Sequence, residues 1–308
     1  MSRIHEALKK AEQERTSSQG SGVPSALDTA TMPPSTVFPE ISSPDPVAPA
    51  AIASMPSLGV PFSHEALLAR CPQLEWKPDL STMLFMNGNN AAKGMEEYRT
   101  LRSRLYDLRD RMPLRTLLVT SSLPKEGKSF TASNLAQVLS RQHGRRVLLI
   151  DADLRGPRLH LMLGTFAKPG LSDYLQGVND EFSIIQRGPL ENLFFIPSGT
   201  EIEQPAELVG NGKLKMLVQR LEPLFDWIIV DSPPAVPVSD ASVLAKACDG
   251  VVLVVRSNST PADVARKARQ EFPDQALVGV VLNGMNASSE SYTRYYYETY
   301  EKKVSTKG

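Results

Sequence analysis

The chain has 308 residues, 34 of them basic and 34 acidic, and its formal net charge is zero. This length allows one large or two small domains, and the charge balance argues against a protein that coats nucleic acid or anionic lipid with positive charge. The two cysteines, Cys71 and Cys248, lie far apart and fit neither a metal site nor a disulfide framework, so we expect a reducing compartment.

Residues 1–15 are predicted to form a short amphipathic helix. Ile4, Ala7, Leu8 and Ala11 recur at helical spacing, and charged residues occupy the other faces. The segment has no apolar core of the kind that marks a secretory signal. An isolated helix of this length is marginal in water, so both a frayed terminus and a helix that folds on a partner remain open.

Residues 16–69 are predicted to be a disordered linker between this helix and a folded domain. Nine prolines lie between residues 21 and 62, and the linker contains neither lysine nor arginine. Such a composition buries too little apolar surface to offset the entropy lost on ordering. The longest uncharged run, residues 46–63, is too polar and too rich in proline to span a bilayer, so we expect any membrane association to come through a partner.

Between residues 70 and 286, apolar runs alternate with helical patterns. The apolar runs are 116–121, 146–151, 193–197, 227–231, 250–255 and 277–282. Helices are predicted at 94–110, 128–142, 212–223, 239–247 and 261–271. Continuous apolar strands that alternate with helices are typical of a parallel sheet with both faces covered. The sequence therefore predicts one α/β domain with a doubly wound, mostly parallel sheet.

The loop 121–129 joins the first of these strands to a helix and ends in Gly127-Lys128-Ser129. This is the Walker A arrangement, in which backbone N–H groups hold phosphate oxygens, the lysine reaches the β- and γ-phosphates and the hydroxyl binds Mg²⁺. Ser122 replaces the usual first glycine of the motif. We therefore expect a P-loop NTPase-like fold that binds ATP and Mg²⁺. The expected nucleotide-binding residues are Ser122, Pro124, Lys125, Glu126, Gly127, Lys128, Ser129 and Phe130.

Three acidic residues lie at the ends of two other apolar strands. Asp151 and Asp153 stand two residues apart after one strand, and Asp231 ends the run 227–231. A lone aspartate at such a place more often caps a helix or forms a turn. The carboxyl ends of parallel strands, however, meet at one edge of the sheet, where ligands also bind. The three carboxylates therefore favour an Mg²⁺-nucleotide site, with Ser129, Asp153 and Asp231 as the expected metal ligands.

Several motifs that occur together resemble the bacterial tyrosine kinases of exopolysaccharide and capsule synthesis. The resemblance covers about residues 94 to 300. It rests on the loop 120–129, on the D-x-D-x-R run 150–155, on the Walker B run 228–233, on the E-x-x-R-x-x-R segment 96–102 and on a terminal cluster of tyrosines. In such a kinase Lys128, Asp151 and Asp153 are the expected catalytic residues, with Asp151 orienting or deprotonating the tyrosine hydroxyl.

The resemblance also implies partners. Glu96, Arg99 and Arg102 match the family's contacts between subunits of a ring-like homo-oligomer, although spacing alone favours a solvated helix face with internal ion pairs. A separate membrane chain, a regulator of polysaccharide chain length, is the implied activator, and a phosphotyrosine phosphatase is a further implied partner. The implied location is cytoplasmic, at the inner face of the membrane.

One position departs from the resemblance, since the family often has glycine where this chain has Lys125. A positive φ angle there would strain a lysine side chain. Alternatively, the ammonium group adds a contact to phosphate. Asn283, which precedes Gly284 after the last apolar run, also has two interpretations: it faces an adenine base, or it forms the turn that an Asn-Gly pair favours.

The C-terminal tail, residues 287–308, decides between a kinase and other nucleotide-binding proteins. It contains Tyr292, Tyr295, Tyr296, Tyr297 and Tyr300 among polar and charged neighbours. A packed aromatic strand would have aliphatic neighbours, and a surface that stacks nucleic-acid bases would come with a basic groove, so no nucleic-acid partner is expected. The tail is therefore interpreted as a set of phosphate acceptors, which predicts a protein-tyrosine autokinase that acts in trans.

Two alternatives come from other classes. The first is a P-loop ATPase switch of the chromosome- or cargo-positioning kind, which usually carries a second lysine where this chain has Leu123 and lacks a tyrosine-rich tail. The second is a regulator that binds nucleotide without kinase activity, which the sequence alone does not separate from the kinase.

Overall fold

The computed structural model describes residues 63–86 and 94–285, in which seven strands form one sheet. The order across the sheet is β3-β4-β2-β5-β1-β6-β7, and all neighbours are parallel except β3 and β4. The strands are β1 (Thr116–Ser121), β2 (Val147–Asp151), β3 (Gln186–Arg187), β4 (Leu193–Ile196), β5 (Trp227–Asp231), β6 (Gly250–Arg256) and β7 (Leu277–Asn283). The predicted mostly parallel α/β fold is thus confirmed.

Helices cover both faces of this sheet. They are α1 (His64–Arg70), α2 (Met95–Arg109), α3 (Lys128–Ser140), α4 (Leu159–Leu163), α5 (Leu171–Gln176), α6 (Glu181–Ile184), α7 (Pro205–Val209), α8 (Lys213–Leu221), α9 (Asp240–Ala245) and α10 (Ala262–Gln270). Two short 3₁₀ turns, Glu222–Leu224 and Asp274–Ala276, precede β5 and β7.

The sheet divides the core into two apolar layers because its central strands are buried on both faces. Successive residues of β1 face opposite layers: Leu118 packs in one with β2, β4 and α8, and Leu117 packs in the other with α2 and α3. β1, β2, β4 and β5 are buried along their whole length. This two-sided burial explains why these strands read as continuous apolar runs rather than alternating ones.

The segment 63–86 belongs to the folded domain. Leu67 of α1 is fully buried in one apolar layer, and Trp76 and Met83 are buried in the other. Asn134 of α3 holds this segment through two hydrogen bonds, accepting from the N–H of Leu84 at 2.9 Å and donating to the carbonyl of Thr82 at 2.8 Å. Helix α1 therefore includes the last residues of the predicted linker 16–69. Leu67 packs in the core of the domain, which the composition of the linker does not indicate.

Other parts of the predicted organisation lie outside the described residues. These are the N-terminal helix 1–15, the linker up to residue 62 and the tail 287–308. Within the described ranges, four helices between β2 and β5 were not predicted, because α4 to α7 have four to six residues each and show no helical period. In the part of the chain that the structure describes, the helices are all too short or too polar to cross a membrane.

Candidate active site

The predicted loop and carboxylates meet at the carboxyl edge of three adjacent strands. β1 leads into the loop 122–127, β5 ends at Asp231, and β2 ends at Asp151. In the sheet register Asp231 stands opposite both Asp151 on β2 and Val119 on β1. The strand order therefore brings together groups that are up to about a hundred residues apart in the sequence.

The loop turns into helix α3 at a glycine that no other residue can replace without strain. Gly127 has a φ angle of +99° and caps the helix, and a Cβ atom there would lie 2.0 Å from the side-chain nitrogen of Asn283. The first N–H groups of a helix have no partner inside the helix and attract anions. The N-terminus of α3 is thus open for phosphate directly after the loop.

Lys125 also has a positive φ angle, +67°, and its side chain is exposed. The departure from glycine at this position therefore places a lysine in the left-handed region, where a side chain costs about 1 kcal/mol. The backbone geometry thus shows the strain expected for a lysine at this position.

Residues from the ends of β6 and β7 hold the loop in this shape. The side-chain amide of Asn283 donates to the carbonyl oxygen of Glu126 at 2.8 Å, and Arg256 donates to the carbonyl oxygen of Lys125 at 3.1 Å. The buried carboxylate of Glu126 accepts from the N–H of Leu123 at 2.9 Å and from the Thr260 hydroxyl. Arg256 and Thr260 were not among the predicted site residues. Their position shortly after the apolar run 250–255 is the sequence feature that could have indicated them.

Asn283 uses both of its polar atoms within the described structure. Besides its bond to Glu126, its Oδ1 accepts from the N–H of Gly284 at 2.9 Å. The second contact is the turn that the Asn-Gly pair favours, and the first supports the phosphate loop.

Lys128 lies among the carboxylates. Its Nζ is 2.6 Å from Asp153 Oδ2, 3.6 Å from Asp231 Oδ2 and 3.1 Å from the hydroxyl of Ser129. That hydroxyl donates to Asp231 Oδ2 at 2.5 Å. Burial works against the charged form of Lys128, but the attraction of Asp231 and Asp153 outweighs it and raises the lysine pKa. A buried ammonium group therefore offsets part of the negative charge of these carboxylates, and Ser129 and Asp231 stand close enough to bind one cation together.

The two fully buried carboxyls have raised pKa values. Burial raises the pKa of Asp151 well above its usual range, and the nearby Asp231 adds to the shift. Burial also raises the pKa of Asp231 to about 6, although Lys128 and Ser129 oppose it. Asp151 Oδ2 accepts from the N–H of Leu159 at 3.1 Å, while its Oδ1 is buried with no hydrogen-bond partner in the described structure. A carboxyl with these properties is suited to accept a proton.

The donor set fits Mg²⁺ bound together with a nucleotide. Asp231 Oδ1 is a buried carboxylate oxygen for which the described residues offer no partner, and the Ser129 hydroxyl is its neighbour. Within the described ranges, no group of three or more acidic, histidine or cysteine side chains is placed to enclose a metal ion. Magnesium in nucleotide sites needs only one or two protein oxygens, because phosphates and water complete its octahedron.

The remaining predicted loop residues differ in their surroundings. Pro124 is exposed, whereas Ser122 is fully buried and its hydroxyl has no hydrogen-bond partner among the described residues. Phe130 packs edge to face with Tyr98 of α2, with 6.3 Å between ring centres. The Phe130 side chain thus joins two helices.

On α2 the three predicted contact residues lie at the surface. Arg99 and Glu96 form an ion pair at 2.8 Å, with 38% and 63% of their side chains exposed. Arg102 donates to the carbonyl oxygen of Val138 on α3 at 3.2 Å. Arg102 therefore also joins α2 to the phosphate-loop helix of its own chain.

The known proteins that this chain resembles are P-loop NTPases and tyrosine kinases. A family model described as "ParA: NUBPL iron-transfer P-loop NTPase" matches residues 114–306. The tyrosine-protein kinase YwqD of Bacillus subtilis (strain 168) is 35% identical over 203 residues, which cover 65% of this chain and 85% of that protein. The solved kinase domain of the Escherichia coli tyrosine kinase ETK has a TM-score of 0.61 at 30% identity, covering 65% of this chain and 80% of that one. The chimerical protein CapA2B2 has a TM-score of 0.62 at 28% identity, covering 72% and 99%.

Proposed function

Because the chain belongs to the bacterial tyrosine-protein kinases, within the ParA-type P-loop NTPases, we propose that it phosphorylates tyrosines of its own C-terminal tail with ATP. It is a protein-tyrosine kinase, and the expected nucleotide-binding fold is the fold observed. The observation that carries the proposal is the position of Lys128 between Asp153 and Asp231, beside Ser129 at the N-terminus of α3.

In the proposed reaction the hydroxyl oxygen of a tyrosine attacks the γ-phosphorus of ATP. The bond from that phosphorus to the bridging oxygen of the leaving diphosphate breaks, and ADP leaves with its negative charge. The proton of the tyrosine hydroxyl passes to Asp151, a fully buried carboxyl whose pKa burial raises well above its usual range. Lys128 and the N–H groups of the loop hold the β- and γ-phosphates, where charge develops.

Ser129, with Asp153 and Asp231 directly or through water, is the set proposed to hold Mg²⁺. Bound there, the ion would supply positive charge that offsets the negative charge of the phosphates. Lys128 would then move from the carboxylates toward the phosphates. Its ion pairs with Asp153 and Asp231 in the free protein therefore compete with its contacts to the phosphates. The buried Oδ1 of Asp231, for which the described residues provide no hydrogen-bond partner, supports this assignment.

Transfer is proposed to take place in trans, from one subunit of a ring-like homo-oligomer to the tail of its neighbour. The exposed Glu96–Arg99 pair supports a contact surface on α2. Chain length alone permits the reaction in cis as well, since β7 ends beside the phosphate loop and only eight residues lie between Asn283 and Tyr292. The trans reaction therefore rests on the family resemblance and not on reach.

A mixing experiment tests the direction of transfer. The donor is the full chain with the five tail tyrosines changed to phenylalanine, and the acceptor is the full chain with Lys128→Met. Phosphotyrosine on the acceptor tail, mapped by mass spectrometry to Tyr292, Tyr295, Tyr296, Tyr297 or Tyr300, is the expected result. Labelled wild type together with an unlabelled acceptor under the same conditions contradicts trans transfer.

The polysaccharide role and the partners are part of the same proposal. A membrane chain that regulates polysaccharide length activates the kinase from the cytoplasmic face, and a phosphotyrosine phosphatase reverses the reaction. Each added phosphate brings about −1.5 to −2 charge to the tail, which repels the tail from acidic neighbours and loosens the ring. The ATPase switch is disfavoured, because the position of its second lysine holds Leu123 and the chain carries five tail tyrosines.

A further inference from the structure

A groove lies next to the catalytic carboxylates, on the side of β4. It is formed by the residues after β2 and by the loop that follows β4, and it encloses about 520 Å³. Its walls carry both apolar and polar side chains; they include Leu154, Arg155, Pro157, Ser198, Ile202 and Pro205. Leu154 directly follows Asp153, so the groove begins where the catalytic carboxylates end.

The floor of this groove is rigid. The N–H of Ser172 donates to the carbonyl oxygen of Ser198 at 2.9 Å, and the Ser172 hydroxyl donates to the carbonyl oxygen of Thr200 at 2.7 Å. Gly170 and Gly199 pack so closely that a Cβ on Gly170 would lie 2.3 Å from the nitrogen of Gly199. The loop after β4 is therefore fixed against the start of α5 before any ligand arrives, which lowers the entropy cost of binding.

One polar atom of the floor has no partner. Ser198 is only 3% exposed, it lines the groove, and its hydroxyl has no hydrogen-bond partner among the described residues. A buried hydroxyl without a partner is unfavourable, and a ligand group that bonds to it removes this penalty. The N–H or carbonyl group of an extended peptide segment is such a group, because either one can form a hydrogen bond with a hydroxyl.

The outer part of the groove is acidic. Glu201 and Glu203 line both this groove and an adjoining cavity of about 680 Å³, which also contains Glu207. All three glutamates are exposed, and none has an ion-pair partner in the described ranges. Arg155, in contrast, is paired with Asp240 through bonds of 2.8 and 3.0 Å. Lys168 also lines the groove, is exposed and has no ion-pair partner in the described ranges, but the three glutamates of the two cavities outnumber it. The net free charge is therefore negative and attracts a basic segment.

The strand order places the groove on the opposite side of Asp151 from the phosphate loop. From β1, which carries the phosphate loop, the sheet runs through β5 with Asp231 and β2 with Asp151 to β4, whose following loop forms the groove floor. Neighbouring strands are about 4.8 Å apart, so the groove lies on the order of 10–15 Å from the phosphate loop, across the carboxylates. A nucleotide on the loop and a ligand in the groove would thus face one another across Asp151.

We infer that this groove binds the tail segment that follows the acceptor tyrosine, with Lys302 and Lys303 on Glu201 and Glu203, so that the tyrosine hydroxyl reaches back past Asp151 toward the nucleotide. The tail offers one match in sequence: Tyr300 is followed by Lys302 and Lys303, two and three residues later. Tyr297, in contrast, is followed at the same spacing by Thr299 and Tyr300, which carry no charge. Tyr300 is therefore the tyrosine phosphorylated first. The inference rests on the proposed kinase function, because it assigns the acceptor side of that reaction.

Charge reversal on both sides tests the inference in the full chain. Glu201→Lys with Glu203→Lys, or Lys302→Glu with Lys303→Glu, lowers the initial rate of Tyr300 phosphorylation about fivefold, as two solvent-exposed ion pairs predict. The two reversals combined restore the rate to within about twofold of wild type. The matched control, Glu191→Lys with Glu271→Lys, reverses two exposed glutamates outside the groove and leaves the rate unchanged.

A second variant separates binding from folding. Ser198→Ala removes a hydroxyl that bonds to nothing in the described structure, so the melting temperature stays the same or rises, while the KM for the acceptor increases and the nucleotide Kd does not change. A loss of stability with an unchanged acceptor KM would assign Ser198 a structural role and overturn this part of the inference.

The outcomes also separate this inference from the proposed function. If neither charge reversal changes the rate of Tyr300 phosphorylation, or if the combined variant does not restore the rate, the groove does not bind the tail. The proposed kinase function is not affected by either result. If the wild type forms no phosphotyrosine, binding of a fluorescent peptide with the sequence of residues 294–305 still tests the groove. Affinity that falls about fivefold with Glu201→Lys and Glu203→Lys then supports the groove without the kinase, and unchanged affinity overturns it.

Discussion

The side-chain amide of Asn283 lies 2.8 Å from the carbonyl oxygen of Glu126 and donates a hydrogen bond to it. This single bond ties the end of the last strand to the phosphate loop. Because Asn283 also fills the space beside Gly127, the loop is closed from the β7 side by a polar contact and a steric one. The two residues are far apart in the sequence, and only the order of the strands brings them together.

Gly127→Ala is expected to weaken nucleotide binding at least tenfold. The φ angle of +99° costs an alanine about 1–2 kcal/mol, and its Cβ collides with Asn283 as well. Gly144→Ala is the matched control, since Gly144 also has a positive φ angle, +69°, but open space around it. Titration with a fluorescent ATP analogue measures both variants. Equal losses of affinity would mean that the contact with Asn283 is irrelevant.

Lys125→Gly is expected to keep nucleotide affinity within about twofold, because it removes strain and no bond of the exposed side chain. Lys125→Val, which places a β-branched residue at a φ angle of +67°, is expected to lower the free energy of unfolding by about 1–2 kcal/mol. Chemical denaturation and nucleotide titration check the pair. A large loss of affinity in the glycine variant would instead assign the ammonium group a phosphate contact.

Asp231→Asn is expected to stabilise the protein in the absence of nucleotide and Mg²⁺, and more at pH 7.5 than at pH 5. Burial raises the pKa of Asp231 to about 6 in the folded state, above the unfolded value near 4. The folded state therefore binds this proton more tightly, and the wild type loses stability as the pH rises from about 4 to about 6. The asparagine variant has no such loss, so its melting temperature at pH 7.5 should exceed that of wild type by about 4 °C or more.

Asp226→Asn serves as the control of opposite sign. Burial works against the ionised form of Asp226, but the Arg145 side chain and the N–H of Arg146 outweigh it and lower its pKa. Its contribution to stability is present above the unfolded pKa and is lost as the pH falls through the lower folded pKa. The variant should therefore be less stable than wild type at pH 7.5. A stabilised Asp226→Asn, or an Asp231→Asn without pH dependence, contradicts the electrostatic account.

Glu96→Lys combined with Arg99→Glu is expected to shift the proposed homo-oligomer toward monomer without unfolding the protein. An exposed ion pair on a helix is worth only about 0.3–0.5 kcal/mol, and the swap preserves the pair while it reverses the field that a neighbour meets. Sedimentation velocity measures the shift. Arg104→Glu with Asp107→Lys, at exposed positions of the same helix, is the control and should sediment like wild type.

The sequence predicts most of the fold because parallel strands that are buried on both faces appear as apolar runs in the sequence. β1, β2 and β5 each contain an apolar run of three or four residues, β2 and β5 end at a residue of the site, and β1 leads into the phosphate loop. The loop that ends in Lys128 and Ser129 and the carboxylates Asp151, Asp153 and Asp231 could be found in this way.

Other features leave no local pattern. Helices α4 to α7 are too short to show a period, and Arg256 and Thr260 reach the phosphate loop only because β6 lies next to β1. The groove near Ser198 needs three-dimensional information for the same reason, since its walls come from loops after two different strands. Burial of Leu67 in α1 likewise depends on a contact with the distant core, and the linker composition around it pointed the other way.

The most direct test of the central claim is phosphotyrosine formation by the purified chain with Mg²⁺, ATP and the cytoplasmic segment of the proposed membrane activator. The wild type should carry phosphate on the tail tyrosines, Lys128→Met should lose at least about 99% of the signal, and the exposed-lysine control Lys246→Met should keep it. A wild type without phosphotyrosine under these conditions, or a Lys128→Met variant with an undiminished signal, would contradict the account.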